Sequence, residues 1–169
     1  MPLFIHRLPF YSWTDQTRTP PLTYWSISLP VLGTDPGLNA PPAGLPFQEW
    51  TLDTGNTGEA FAWRHHLLQA GLDPDVRRLP GNIRIASAAI FQAPRAALRE
   101  TDLWLGSNRP QFRGSPHRIP LKRGLPFLDL PTLPDPHFHR PVIGIRALRR
   151  AGLRVELNFA ADVVSVWTP

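Results

Sequence analysis

Asp53, Thr54 and Gly55 are the residues best placed to do chemistry, because they follow directly on an alternating, apolar stretch from Phe47 to Leu52. A carboxylate at the end of a strand is held on a rigid support, where its position is well defined. The glycine lets the backbone turn tightly. The threonine hydroxyl is free to hydrogen-bond within the turn or across an interface. Were a second carboxylate brought to about 3 Å, the two could not both stay ionised and would share one proton. Such a pair acts as base and acid at once, one oxygen deprotonating a water while the other protonates a carbonyl under attack. The simpler alternative is an Asx-type turn between two strands, with no chemistry attached.

Other reactive constellations are thin. The chain has no cysteine, which removes disulfides and thiolate metal sites. Gly-x-Ser-x-Gly and phosphate-loop patterns are absent. His137-Phe138-His139 would put two imidazoles on one face of a strand, as zinc ligands can be, and His65-His66 is a second histidine pair. Neither has a further ligand at diagnostic spacing, so no metal and no cofactor are expected.

The elements that must position Asp53 are legible on both sides of it. Leu22 to Val31 alternates as a half-buried strand, and residues 32–46 are saturated with glycine and proline and predict a loop. After the Asp-Thr-Gly turn, Glu59 to Trp63 predicts a short strand and Arg64 to Ala70 a short helix, closed by Gly71. Ile83 to Ile90 and Ala96 to Leu105 are extended candidates. Residues 106–141 are broken by prolines and glycines, leaving room only for short strands such as Phe127 to Leu130. Val142-Ile143-Gly144 is an apolar strand end, followed by a helix over Ile145 to Ala151 and by Gly152. Leu153 to Phe159 and Val163 to Trp167 then form a hairpin about the turn at 160–162. One internal echo stands out: LLQAGL at Leu67 to Leu72 and LRRAGL at Leu148 to Leu153.

In this context the turn gains specificity. WTLDTGNTGEAFAWRHHLLQAGL resembles the active-site segment of the retropepsin-like aspartic proteases, the single-lobed retroviral type, and PVIGIRALRRAGLRVELNFAADVVSVW resembles their second signature. The resemblance covers residues 22–72 and 142–167, with roughly ninety residues between Asp53 and Gly144. It implies a mainly β fold, a closed β-barrel with one or two short helices. Asp53 would be the catalytic aspartate, Thr54 would brace the active-site loops, and Gly55 would allow the turn. Ile143 and Gly144 would form the second signature. A hairpin flap would lie between about Ile83 and Leu98, with Ser87, Ala88, Ala89, Ile90 and Phe91 near its tip.

With one Asp-Thr-Gly and no Asp-Ser-Gly, the resemblance implies a homodimer in which Asp53 meets its own counterpart. It implies endopeptidase activity on polypeptides. Val163 to Trp167, with Pro2 to Arg7, would be the strands that knit the dimer. The chain departs from the family pattern in three ways. ASAAIFQAP lacks the flap's glycines, Asn56 replaces a small residue, and insertions occupy 32–46 and 106–141. A dimeric binding module that keeps the turn for structure alone is the alternative.

Composition bounds the remainder. The 169 residues suit a single domain, residues 1–169, and 21 prolines exclude an all-helical design. Net charge is +5, but the arginines are scattered or paired, as in Arg77-Arg78 and Arg149-Arg150, and no nucleic-acid stripe is expected. Six tryptophans, among them Trp25, Trp50, Trp63, Trp104 and Trp167, predict core and interface packing. No long apolar run or leader is legible, so a soluble, cytoplasmic protein without a membrane partner is expected.

Overall fold

The structure is a computed structural model that describes residues 4–54, 58–85, 95–106, 116–129 and 140–167. It is mainly β with two short helices. In chain order the strands are β1 (Phe4–Pro9), β2 (Tyr11–Asp15), β3 (Leu22–Ser26), β4 (Ser28–Thr34), β5 (Gln48–Asp53) and β6 (Ala60–Trp63). Helix α1 (Arg64–Gln69) follows, then β7 (Arg78–Arg84), β8 (Arg95–Arg99), β9 (Asp102–Leu105), β10 (His117–Ile119), β11 (Leu125–Leu128) and β12 (Val142–Gly144). The chain ends with α2 (Ile145–Arg150), β13 (Arg154–Asn158) and β14 (Val163–Trp167).

Nine strands share one sheet in the order β10-β9-β4-β5-β12-β6-β11-β8-β7, flanked by a three-stranded sheet β1-β14-β13 and the pair β2-β3. The large sheet is strongly curled, for a simple reason of reach. In that order β8 and β9 stand six strand spacings apart, about 29 Å if the sheet were flat. Yet only Glu100 and Thr101 separate them in sequence, and three Cα steps span at most about 11 Å. The two ends of the order are therefore drawn together, although no hydrogen-bonded pairing joins β10 to β7 among the described residues.

Two forks interlock at the centre. The arms β5 and β6 do not pair with each other; β12 lies between them, parallel to β5 and antiparallel to β6. Likewise β11 and β12 straddle β6, which runs parallel to β11. Each fork's second arm fills the other fork and then leads into a helix, β6 into α1 and β12 into α2. The core lies on one face of this arrangement, where Leu52, Ala60, Ala62, Phe127 and Ile143 pack with Leu67, Ala147 and Leu148 from the helices. A smaller cluster of Phe61, Trp63, Ala96 and Leu128 occupies the other face.

The internal echo corresponds to one backbone motif used twice. Gly71 and Gly152 both adopt the left-handed conformation, φ 75° and 72°, which glycine reaches without strain. The amides of Gly71 and Leu72 donate to the carbonyls of Leu68 and Leu67, at 3.0 and 2.8 Å. Those of Gly152 and Leu153 donate to Arg149 and Leu148, at 3.1 and 3.0 Å. Both are Schellman terminations, and in each the leucine after the glycine and a leucine of the helix's last turn belong to the same core cluster.

Several expected boundaries are corrected. The strand expected over Leu22 to Val31 breaks at Ile27, and its first half pairs with β2 in a separate sheet. As a result Trp25 is 68% exposed, whereas Trp50, Trp63 and Trp104 are buried as expected. The loop expected from residue 32 begins later, because Leu32, Gly33 and Thr34 continue β4 against β9. Ala96 to Leu105 is two strands. Strand β7 begins before the expected Ile83 and runs through Pro80-Gly81, where a register shift between Leu79 and Asn82 absorbs the irregularity. That shift is a β-bulge on an edge strand, where proline is tolerated.

Candidate active site: the Asp53 fork

Asp53 is the last residue of β5 and lies directly opposite Gly144 in the parallel β5–β12 ladder, with Leu52 opposite Ile143 and Thr51 opposite Val142. The fork is pinned on both sides of that register. The Thr51 amide donates to Pro141 O at 2.8 Å, and the Gly144 amide donates to Glu59 O at 2.9 Å. Asp53 and Thr54 are exposed, while Leu52, Ile143 and Gly144 behind them are buried. A carboxylate is thus presented to solvent from a strand end whose backbone is fixed by neighbours on either side.

Of the residues expected to carry function, the structure brings Asp53 and Thr54 to the mouth of the fork and Ile143 and Gly144 to its inner strand. Gly55 lies outside the described residues, as do Ser87, Ala88, Ala89, Ile90 and Phe91. Strands β7 and β8 are antiparallel neighbours that end at the pair Arg84 and Arg95, on either side of that segment. The histidines of His137-Phe138-His139 also lie outside the described residues. His66 is buried in α1, where its Nδ1 accepts the Trp63 amide at 3.3 Å and closes the first turn of the helix.

Sequence inspection overlooked Glu59. This residue directly precedes β6, and its side chain is only 15% exposed. Its carboxylate accepts the Lys122 amide at 2.7 Å and pairs with Arg150 on α2, while its carbonyl holds Gly144. One residue therefore ties the Asp53 turn to the β10–β11 connection, to β12 and to α2. The only signal in the sequence was an acidic residue at the head of an apolar strand, which a solvated surface position would give equally well.

Strand β14 lies between β1 and β13 of its own chain, with Leu8 opposite Val164 and Leu157 opposite Val164. Both hydrogen-bonding edges of β14 are thus used internally, and the open edges of this sheet are those of β1 and β13.

No helix among the described residues is long and apolar enough to cross a membrane. No family model, curated protein or solved structure matches the chain.

Proposed function

We propose that the protein is a homodimeric aspartic endopeptidase of the retropepsin-like type, in which Asp53 and its copy in a second chain activate a water molecule. The observation that supports this most directly is the register of the interlocked forks: an exposed aspartate opposite a buried glycine that leads straight into a helix. The same two signatures prompted the family resemblance in the sequence. In this reading the curled nine-stranded sheet corresponds to the family's closed barrel, with β7 and β8 as the arms of its flap.

The chemistry needs no covalent intermediate. One carboxylate takes a proton from water as the water oxygen bonds to the peptide carbonyl carbon. The other, protonated, gives its proton to the carbonyl oxygen. The tetrahedral diol then collapses, the C–N bond breaks, and the departing nitrogen takes up a proton. One water is consumed, and one carboxyl and one amino terminus are released.

The absence of glycine from ASAAIFQAP favours a second reading, a dimeric binding module built on the same forks. Cleavage of an unfolded protein by the wild type and by Asp53→Asn, with and without pepstatin, separates the two. Cleavage that requires Asp53, is blocked by pepstatin and falls on dilution with dimer dissociation supports the peptidase. Cleavage that survives Asp53→Asn overturns it, and no cleavage by either form supports the binding module.

A further inference from the structure

Two groups of cations that look scattered along the sequence are brought together by the fold. Helix α2 buries Ala147 and Leu148 and exposes Arg146, Arg149 and Arg150. Residues three and four apart on a helix are neighbours, so these arginines form one stripe. The β10–β11 connection, which exposes Lys122 and Arg123, lies against the same helix. Two contacts hold it there. His117 of β10 donates from Nε2 to the Ala151 carbonyl at 2.9 Å. Glu59 bridges the two segments, one carboxylate oxygen accepting the Lys122 backbone amide at 2.7 Å and the other pairing with Arg150.

The charge gathered there is not compensated. Among the described residues Glu59 is the one carboxylate paired with any of the five cations, and Lys122, Arg123, Arg146 and Arg149 have no ion pair. Five cations around one carboxylate leave a surplus of four, most of the +5 that the whole chain carries. Elsewhere the arginines are largely neutralised: Arg18 by Asp15, Arg77 by Asp35 and Glu100, Arg118 by Asp102, Arg140 by Glu49 and Arg154 by Glu156. Arg84 and Arg95, at the end of the β7–β8 ladder, are the exception. Like charges one helical turn apart, such as Arg146 and Arg150, destabilise a helix, and an anionic partner relieves that repulsion.

We propose that Lys122, Arg123, Arg146 and Arg149 form a surface that binds the phosphate backbone of duplex nucleic acid without regard to base sequence. A clustered, unpaired basic patch is the electrostatic footprint of such binding, and arginine forks match phosphate oxygens two bonds at a time. A duplex supplies the dense, regular charge that the patch lacks, one negative charge per about 1.7 Å of its axis. Helix α2 is only about 9 Å long and its apolar side is buried in the core, so it meets phosphates rather than lying in a groove to read bases. The same burial disfavours a membrane, which takes up a helix by its apolar face; Ile145 is the only exposed apolar residue of α2. None of these four cations belongs to the Asp53 turn, so the proposal is independent of the peptidase reading.

The test uses the full chain and fluorescein-labelled DNA duplexes of about 20 base pairs in two unrelated sequences, followed by fluorescence anisotropy over a salt series. Both duplexes are expected to bind alike, with log K falling against log salt at a slope of about −3 to −4, one phosphate for each unpaired cation. Lys122→Gln, Arg123→Gln, Arg146→Gln and Arg149→Gln together are expected to weaken binding about tenfold or more at low salt and to flatten the slope. Arg84→Gln with Arg95→Gln, which removes two unpaired cations elsewhere, is expected to leave both nearly unchanged. Circular dichroism establishes that each variant is folded; the four side chains are exposed, and the Glu59 bridge uses only the Lys122 backbone. Polyglutamate and phosphatidylserine vesicles, added at matched charge, are expected to displace the probe less well than unlabelled duplex. Displacement by polyglutamate or by vesicles as strong as by duplex overturns the assignment in favour of an acidic polypeptide or a membrane. No binding at low salt, or equal weakening in the two variants, overturns the surface itself.

Discussion

The two forks share a backbone plan and differ in what they place at its tip. In one, β5 ends with Asp53 opposite Gly144, the residue that precedes α2. In the other, β11 ends with Leu128 opposite Trp63, the residue that precedes α1. Both residues before the helices are extended, at φ −94° and −112°, both helices have six residues, and both end in the same Schellman motif. An acid facing a glycine leaves an open, polar mouth. A leucine facing a tryptophan fills the space with apolar surface, and both are 1% exposed. One plan therefore presents an exposed acid on one side and apolar packing on the other, and the difference is made by four residues.

The ties around the forks differ as well. The Asp53 fork is held by Glu59, half-buried between Lys122 and Arg150. The Leu128 fork is held by Arg64, the first residue of α1, which reaches Asp75 and Asp129 on the exposed surface. Partly buried, charge-assisted bonds to backbone amides outweigh exposed ion pairs, so the fork with the acid is the more firmly fixed of the two.

The sharpest way to break this comparison is to change the two tips. Asp53→Asn is expected to lower kcat/KM on the order of 10³-fold while leaving the unfolding midpoint close to that of the wild type. Leu128→Ala is expected to do the reverse, costing about 3 kcal/mol of stability through the cavity left behind, with little change in kcat for the folded fraction. Urea denaturation and initial rates on the same preparations check both. Equal losses of activity would mean that the second fork also takes part in the chemistry.

Next in size is Glu59→Gln. Replacing a carboxylate that accepts the Lys122 amide and pairs with Arg150 is expected to cost about 1–2 kcal/mol. It should also lower kcat more than it alters KM, because the Asp53 turn loses its anchor. Arg150→Gln should reproduce part of the stability loss, and a double-mutant cycle measures the coupling.

The helix terminations should prove alike. Gly71→Ala and Gly152→Ala each force a side chain into left-handed backbone, at about 1 kcal/mol apiece. An added Cβ at Gly71 meets no atom within 4 Å, so its cost is conformational alone. Thermal or urea midpoints that differ widely between the two variants would show that the likeness of the halves is only superficial.

The smallest effect concerns acid. The Asp75 carboxyl is held below its ordinary value, first by its hydrogen bond from Arg64, against an opposing desolvation, with attraction to Arg64 and Arg78 adding to the lowering. A depressed carboxylate stabilises the fold fully above its unfolded value, and that contribution is lost as pH falls through the folded one. Asp75→Asn is therefore expected to flatten the acid limb of stability below about pH 4, measured by urea midpoints across that range.

Much of the central layout was legible because it rests on local rules. Apolar runs closed by glycine predicted α1 at Arg64 and α2 at Ile145, and their observed ends fall within a residue of expectation. Boundaries failed where pairing partners decided them. Pro80-Gly81 looks like a stop, yet β7 passes through it because β8 supplies a ladder on one side and a bulge takes up the slack. Ala96 to Leu105 looks like one strand, yet it bends at Glu100-Thr101 because its halves pair with different neighbours. Glu59 was invisible, since a half-buried acid with two partners is spelled like any surface glutamate.

The sequence by itself determined that an aspartate stands at a strand end before a tight turn, that two helices close on glycine, and that the chain is mainly β. Those features follow from side-chain periodicity and from the backbone freedom of single residues. Only the tertiary structure decided that Gly144 faces Asp53, that β12 threads between β5 and β6, and that Arg84 stands across from Arg95. Register between strands distant in sequence is chosen by the burial of both faces at once, and no local pattern carries that information.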